Sequence, residues 1–116
     1  MKNLLKYKEY YGTIECDLED NILYGKVLFI KDKLGYHGEN PEDLQKDFQE
    51  TIDDYLEFCK EKGIEPDKPF SGTFNIRTGE ELHRKLAVLA KENDLSLNAF
   101  VSKGLEKIAD NPDLIL

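Results

Sequence analysis

Apolar and polar residues alternate from Tyr10 to Leu18. Tyr10, Gly12, Ile14, Cys16 and Leu18 fall on one side, and Thr13, Glu15 and Asp17 on the other. A period of two is that of a strand with one wet face. Glu19-Asp20-Asn21 supplies turn residues, and Ile22 to Ile30 resumes as a second strand, richer in β-branched and aromatic residues. After the Lys31-Asp32-Lys33 turn, Leu34 to Gly38 reads as a third, shorter strand, so the early chain is predicted to form an antiparallel meander. Then the period changes. Asn40 is placed to cap a helix, Pro41 suits its first position, and Glu42 and Asp43 complement its positive end. Leu44, Phe48, Ile52, Tyr55, Leu56 and Cys59 form an apolar stripe opposite Asp47, Glu50, Asp54, Glu57 and Glu61, and Gly63 is the natural stop. A three-stranded sheet needs a cover on its apolar face, and this helix supplies it.

The stretch 64–71 holds Pro66 and Pro69, which cannot sit inside a helix, and reads as a linker between a first domain, 1–63, and a second, 72–116. In the second domain, 72–78 alternates strictly. Phe74 and Ile76 share one face; Thr73, Asn75 and Arg77 share the other. Thr78-Gly-Glu-Glu81 has the spacing of a capping box and predicts a helix from about residue 79. Its stripe is Leu82, Leu86, Leu89 and Ala90, and Asn93-Asp94 ends it. Ser96 caps a further helix carrying Leu97, Phe100, Val101, Leu105 and Ile108, which Pro112 keeps from running much beyond Asp110.

At 116 residues the chain has room for one modest core or two undersized ones. One short strand and two short helices do not close a core, and a lone strand leaves its backbone groups unpaired. Pairing with a second copy about a two-fold axis solves both problems. The strands then form an antiparallel ribbon over a dimer core of Phe74, Ile76, Phe100, Val101 and Leu105. Such a ribbon is narrow enough for the DNA major groove, with Thr73, Asn75 and Arg77 facing outward from each copy. Arg bonds guanine bidentately, Asn bonds adenine, and the Thr methyl touches thymine. At the start of the last helix, Ser96, Leu97 and Asn98 are placed to hold a backbone phosphate through free amides.

Charge separates the two parts. Residues 1–69 hold 10 lysines and no arginine against 17 acids, a net of −7; residues 70–116 hold 6 basic groups against 7 acids. The first part suits a basic partner and repels nucleic acid. The near-neutral second part needs Arg77, Arg84, Lys85, Lys91 and Lys103 grouped toward DNA, giving modest, salt-sensitive affinity. No apolar run approaches a membrane span, and no basic start precedes an apolar stretch, so the expectation is a cytoplasmic protein without membrane contact. His37 and His83 are too few for a zinc site, and Cys16 and Cys59, both on apolar faces, are expected to pack. No metal, no cofactor and no catalytic residue is expected.

Residues 72–109 resemble a ribbon-helix-helix DNA-binding domain, carried by Phe-Asn-Ile-Arg at 74–77, Glu-Leu-His-Arg-Lys at 81–85 and Leu-Ser-Leu-Asn-Ala-Phe-Val at 95–101. The earlier part resembles the N-terminal domain of HicB antitoxins. The carrying residues are Tyr10-Tyr11-Gly12, Leu18-Glu19-Asp20, Leu23 to Val27, and Asp53-Asp54-Tyr55-Leu56 running into Cys59 to Gly63. The resemblance implies an α+β chain: a partial RNase H-like antiparallel sheet with a helix, then a ribbon-helix-helix dimerisation domain. It implies an antitoxin of a type II toxin–antitoxin system. The first domain would block a HicA-like mRNA-cleaving toxin. The second, as a homodimer with further pairing into a tetramer left open, would repress its own operon at a palindromic operator. Gly79 departs from the proline often found at that helix start. Two other readings stay open: a solitary repressor whose first domain binds another protein or ligand, and a metal-dependent nuclease acting through Glu15, Asp17, Glu19, Asp20 and Asp32.

Overall fold

The computed structural model describes residues 3–116 and is α+β. It has two small antiparallel sheets and three α-helices, and divides into two compact units, one ending at Phe74 and the other running Asn75–Leu116.

The first unit opens with a hairpin that the alternation did not announce: β1 (Leu5–Tyr7) pairs antiparallel with β2 (Tyr10–Gly12). Its two-residue turn places Lys8 at φ 49° and Glu9 at φ 69°. Such turns favour Asn and Gly, so a Lys-Glu pair gives no signal in sequence. The hairpin is held from outside, because Lys8 Nζ lies 2.8 Å from Asp53 Oδ1 and the Tyr7 hydroxyl donates to the same carboxylate at 3.1 Å. That ion pair draws the Asp53 carboxyl below the ordinary range and the Lys8 ammonium above it.

The strand expected over Tyr10–Leu18 is interrupted at Thr13-Ile14 and resumes as β3 (Glu15–Asp17) without a change of register. Gly12 faces Val27 across an isolated bridge, and Glu15 faces Tyr24 of β4 (Ile22–Lys26). The interruption has a local cause. The Lys26 amide bonds the Thr13 hydroxyl (3.0 Å), and the Thr13 carbonyl accepts the Tyr36 hydroxyl at 2.7 Å. β4 ends at Lys26; pairing goes on through Val27 and the Leu28 amide, which donates to the Tyr11 carbonyl at 2.8 Å, but falls short of Ile30, and Phe29 takes a φ of 64°. β5 (Gly35–Gly38) completes the order β3-β4-β5.

Helix α1 (Pro41–Lys62) has the ends its sequence announces. The Asn40 side chain accepts the Asp43 amide at 2.9 Å, and Gly63 closes the helix in the left-handed region. Leu44, Phe48, Ile52, Tyr55 and Cys59 are buried, and with Leu5, Tyr10, Val27 and Tyr36 they make the core. Tyr36 stacks against Phe48 with centroids 5.0 Å apart, and its ring crosses the sheet over Gly12 and Gly25, where any Cβ would collide with it. Burial pushes the Tyr36 phenol up to about 12. Cys16, expected to pack, is exposed, because α1 does not extend over that corner of the sheet; Cys59 is buried.

Residues 64–71, read as a linker, are fastened to the first unit. The Asp67 carboxylate accepts the amides of Lys31 and Asp32, each at 3.1 Å. The Asp67 amide donates to the Tyr55 hydroxyl, which donates to Asp32, both at 2.9 Å; the Tyr10 hydroxyl donates to the Asp67 carbonyl at 2.8 Å. Burial, reinforced by the Asp32 carboxylate, pushes the Tyr55 phenol up. Phe70 then packs against Tyr11 and Phe29, at 5.9 and 5.4 Å between centroids.

The second unit holds α2 (Glu80–Glu92), α3 (Leu97–Asp110) and a 3-10 turn at Pro112–Leu114. The Thr78 capping box does not form. Gly79 is the cap residue, at φ 82°, with no side chain bonded to the helix amides, and the Thr78 hydroxyl donates to the Gly79 carbonyl instead. α2 ends at Asn93, whose side chain returns to the Leu89 carbonyl, and Asp94 makes the turn at φ 56°.

Candidate nucleic-acid interface

Two elements carry the residues that the sequence singles out for DNA: the extended stretch 72–78 and the start of α3. The stretch 72–78 is not a strand in the single chain. Among the described residues its backbone pairs with no other strand, and the boundary between the two units falls inside it, between Phe74 and Asn75. The reason is the one that makes any lone strand unstable: its amides and carbonyls have no neighbour of the right geometry within the chain. Thr73, Asn75 and Arg77 are exposed, and so are the residues between them, with Phe74 at 71% and Ile76 at 56%. The two faces that alternation separates are thus equally open in one copy. Phe100 and Val101 are half-buried and Leu105 is exposed at 36%, so none of the five expected dimer-core residues is fully buried within the chain.

The start of α3 is built as its sequence indicates. Ser96 is the cap residue, and its hydroxyl accepts the Ala99 amide at 3.0 Å. The first amides of a helix have no partner within it, which leaves those of Leu97 and Asn98 for an outside acceptor. The first turn of α3 contains no acid, whereas that of α2 carries Glu80 and Glu81. A phosphate at α3 therefore meets the positive end of the helix without a carboxylate from that turn. Of the basic groups, Lys85 reaches Glu81 at 3.9 Å on the same helix; Arg77, Arg84, Lys91 and Lys103 make no ion pair among the described residues.

Covering the apolar face is the larger requirement. Ala90 is the one buried residue among the helices of the second unit. Leu82, Val88 and Leu89 of α2, and Leu97, Leu105 and Ile108 of α3, remain exposed, as do Phe74 and Ile76. Covering a half-exposed large apolar side chain stabilises by roughly 1 kcal/mol, so covering this set is worth on the order of 5–8 kcal/mol per copy.

Two of the acids considered for catalysis, Asp17 and Asp32, are engaged locally. Asp17 Oδ1 accepts the amides of Glu19 and Asp20 at 3.0 and 3.3 Å, closing the turn between β3 and β4, and Asp32 belongs to the Tyr55 network. Among the described residues, no three His, Cys, Asp or Glu side chains gather closely enough to hold a metal ion. No helix is long and apolar enough to cross a membrane.

The model of the HicB family matches residues 55–105, from the last two turns of α1 through most of α3. No curated protein and no solved structure gives a significant match. Over that stretch the chain is similar to the HicB family.

Proposed function

We propose that the protein is the antitoxin of a toxin–antitoxin pair, acting by binding and not by catalysis. Its first unit neutralises a HicA-like mRNA-cleaving toxin, and its second unit, as a dimer, represses its own operon. The observation that carries this reading is the unfinished state of the second unit. Two amphipathic helices, the second capped by Ser96, and an unpaired extended stretch, with Ala90 as the only buried residue of those helices, match what half of a ribbon-helix-helix fold would present. The similarity to the HicB family points to a toxin as the partner.

In the dimer, two copies of 72–78 pair antiparallel. Phe74 and Ile76 turn down onto Phe100, Val101 and Leu105, and Thr73, Asn75 and Arg77 face out into the major groove. Ser96, Leu97 and Asn98 hold a flanking phosphate and set the register. Arg77→Ala removes a bidentate base contact, worth about 1–3 kcal/mol. A gel-shift assay on the protein's own promoter should show at least a ~5-fold loss of specific binding with the dimer intact by sedimentation. Unaltered binding by that variant refutes the assignment of the ribbon.

A further inference from the structure

β3 lies at the edge of its sheet. The Thr13 amide bonds the Lys26 carbonyl, and Glu15 and Asp17 face β4 in the same phase. The backbone groups of Ile14, Cys16 and Leu18 therefore point away from β4. β1 lines this side only as far as Leu5, opposite Gly12, and among the described residues nothing pairs with the edge beyond it. Natural edges are blunted by shortness, charge, proline or a cover; β3 is short and carries two acids, but between Ile14 and Leu18 it has no lysine and no proline, and no described residue pairs along it.

The side chains sharpen the picture. Tyr10 and Gly12 lie under α1, but the same stripe continues past the helix as Ile14 (42% exposed), Cys16 and Leu18 (87% exposed). Glu15 and Asp17 alternate with them, and Glu19 and Asp20 follow in the turn; among the described residues none of these four carboxylates pairs with a basic side chain. We infer that this edge is where the protein partner docks, by adding a strand to β3. The occupant is an extended segment of alternating character, with apolar side chains opposite Ile14, Cys16 and Leu18 and Lys or Arg opposite Glu15 and Asp17. Main-chain hydrogen bonds supply affinity, and the alternation supplies specificity. The inference rests on the toxin reading above and assigns the partner's binding element: a basic strand of the toxin.

The test uses the full chain and the HicA-like toxin proposed as its partner, with affinity measured by calorimetry. Cys16→Pro removes an amide that points to solvent, a place where edge strands accept proline. It should weaken toxin binding at least ~10-fold, the equivalent of losing about 1.4 kcal/mol, while the tyrosine-monitored urea midpoint stays in place. Glu15→Lys, at an exposed site, should weaken binding several-fold, more at low salt than at high. Should Cys16→Pro fail to fold, Glu15→Lys and Leu18→Asp decide the matter. Wild-type affinity in the folded variants overturns the edge assignment alone. Failure of the wild type to bind the toxin overturns the toxin reading and this occupant with it. A self-association that Cys16→Pro alone dissolves gives the edge to a second copy and likewise overturns the inference.

Discussion

The crossing of Tyr36 over Gly12 and Gly25 lends itself to a sharp stability experiment. A Cβ at Gly12 would meet side-chain atoms alone, the Tyr36 hydroxyl first and Phe48 Cε1 next at 2.8 Å. A Cβ at Gly25 would meet the backbone carbonyl of Thr13 before it met the Tyr36 ring. Overpacking of this kind destabilises by typically ~1–3 kcal/mol where side chains can give way, and by more where backbone must move. Tyr36→Phe removes a 2.7 Å hydrogen bond and leaves the Thr13 carbonyl without that donor, a loss of about 1–2 kcal/mol. Gly12→Ala should therefore lower stability by ~2–3 kcal/mol and Gly25→Ala by ~3 kcal/mol or more. The double variants then discriminate. Removing the hydroxyl makes room above residue 12, so Gly12→Ala with Tyr36→Phe should fall short of additivity by about 1 kcal/mol. The Thr13 carbonyl still blocks residue 25, so Gly25→Ala with Tyr36→Phe should show little such relief. The assay is urea unfolding followed by tyrosine emission. All six tyrosines lie at or before Tyr55 and the chain has no tryptophan, so the signal comes from the first unit alone. Equal and small losses at both glycines, or equal relief in both double variants, would refute the packing described.

Two further outcomes follow from the same unit. The folded Tyr36 phenol is raised to about 12 from an ordinary 10, so its contribution is fully present below about pH 10 and is lost as pH rises through about 12. Stability should drop across that window by on the order of 1–2 kcal/mol after allowance for solvent screening, and the drop should shrink in Tyr36→Phe; an identical profile in the variant contradicts the assignment. Asp67→Ala removes the acceptor of the Lys31 and Asp32 amides. Those two amides should exchange with solvent at least ~10-fold faster while the α1 core keeps its protection, as expected of a local opening; unchanged exchange means that Asp67 does not hold the 28–34 loop.

Much of this structure was legible in the chain because it is local. Asn40, Pro41 and Gly63 mark the ends of α1 by their own stereochemistry, and Ser96 marks the start of α3 in the same way. The faces of the 10–17 segment were also legible from alternation, which puts Tyr10 and Gly12 on the side that the helix covers. Three features were not legible. The β1–β2 turn uses Lys8 and Glu9, whose left-handed conformations are secured by contacts with α1 and not by their own preference. Tyr55 reads as one more apolar position in a stripe, yet its hydroxyl bridges Asp32 and Asp67, residues 23 and 12 positions away. The Thr78 box gave way because the glycine beside it took the cap position at φ 82°. The stretch 72–78 is a different matter: its alternation is plain, but among the described residues its backbone finds no strand to pair with, and the dimer proposed above would supply one.

That last point is the claim on which the functional account stands, and sedimentation equilibrium of the full chain tests it most directly. The account predicts a dimer at micromolar concentration, with Ile76→Asp giving a single subunit whose first unit still shows the wild-type tyrosine signal. A wild-type protein that sediments as one subunit at those concentrations, with α2 and α3 as protected from exchange as α1, would contradict it.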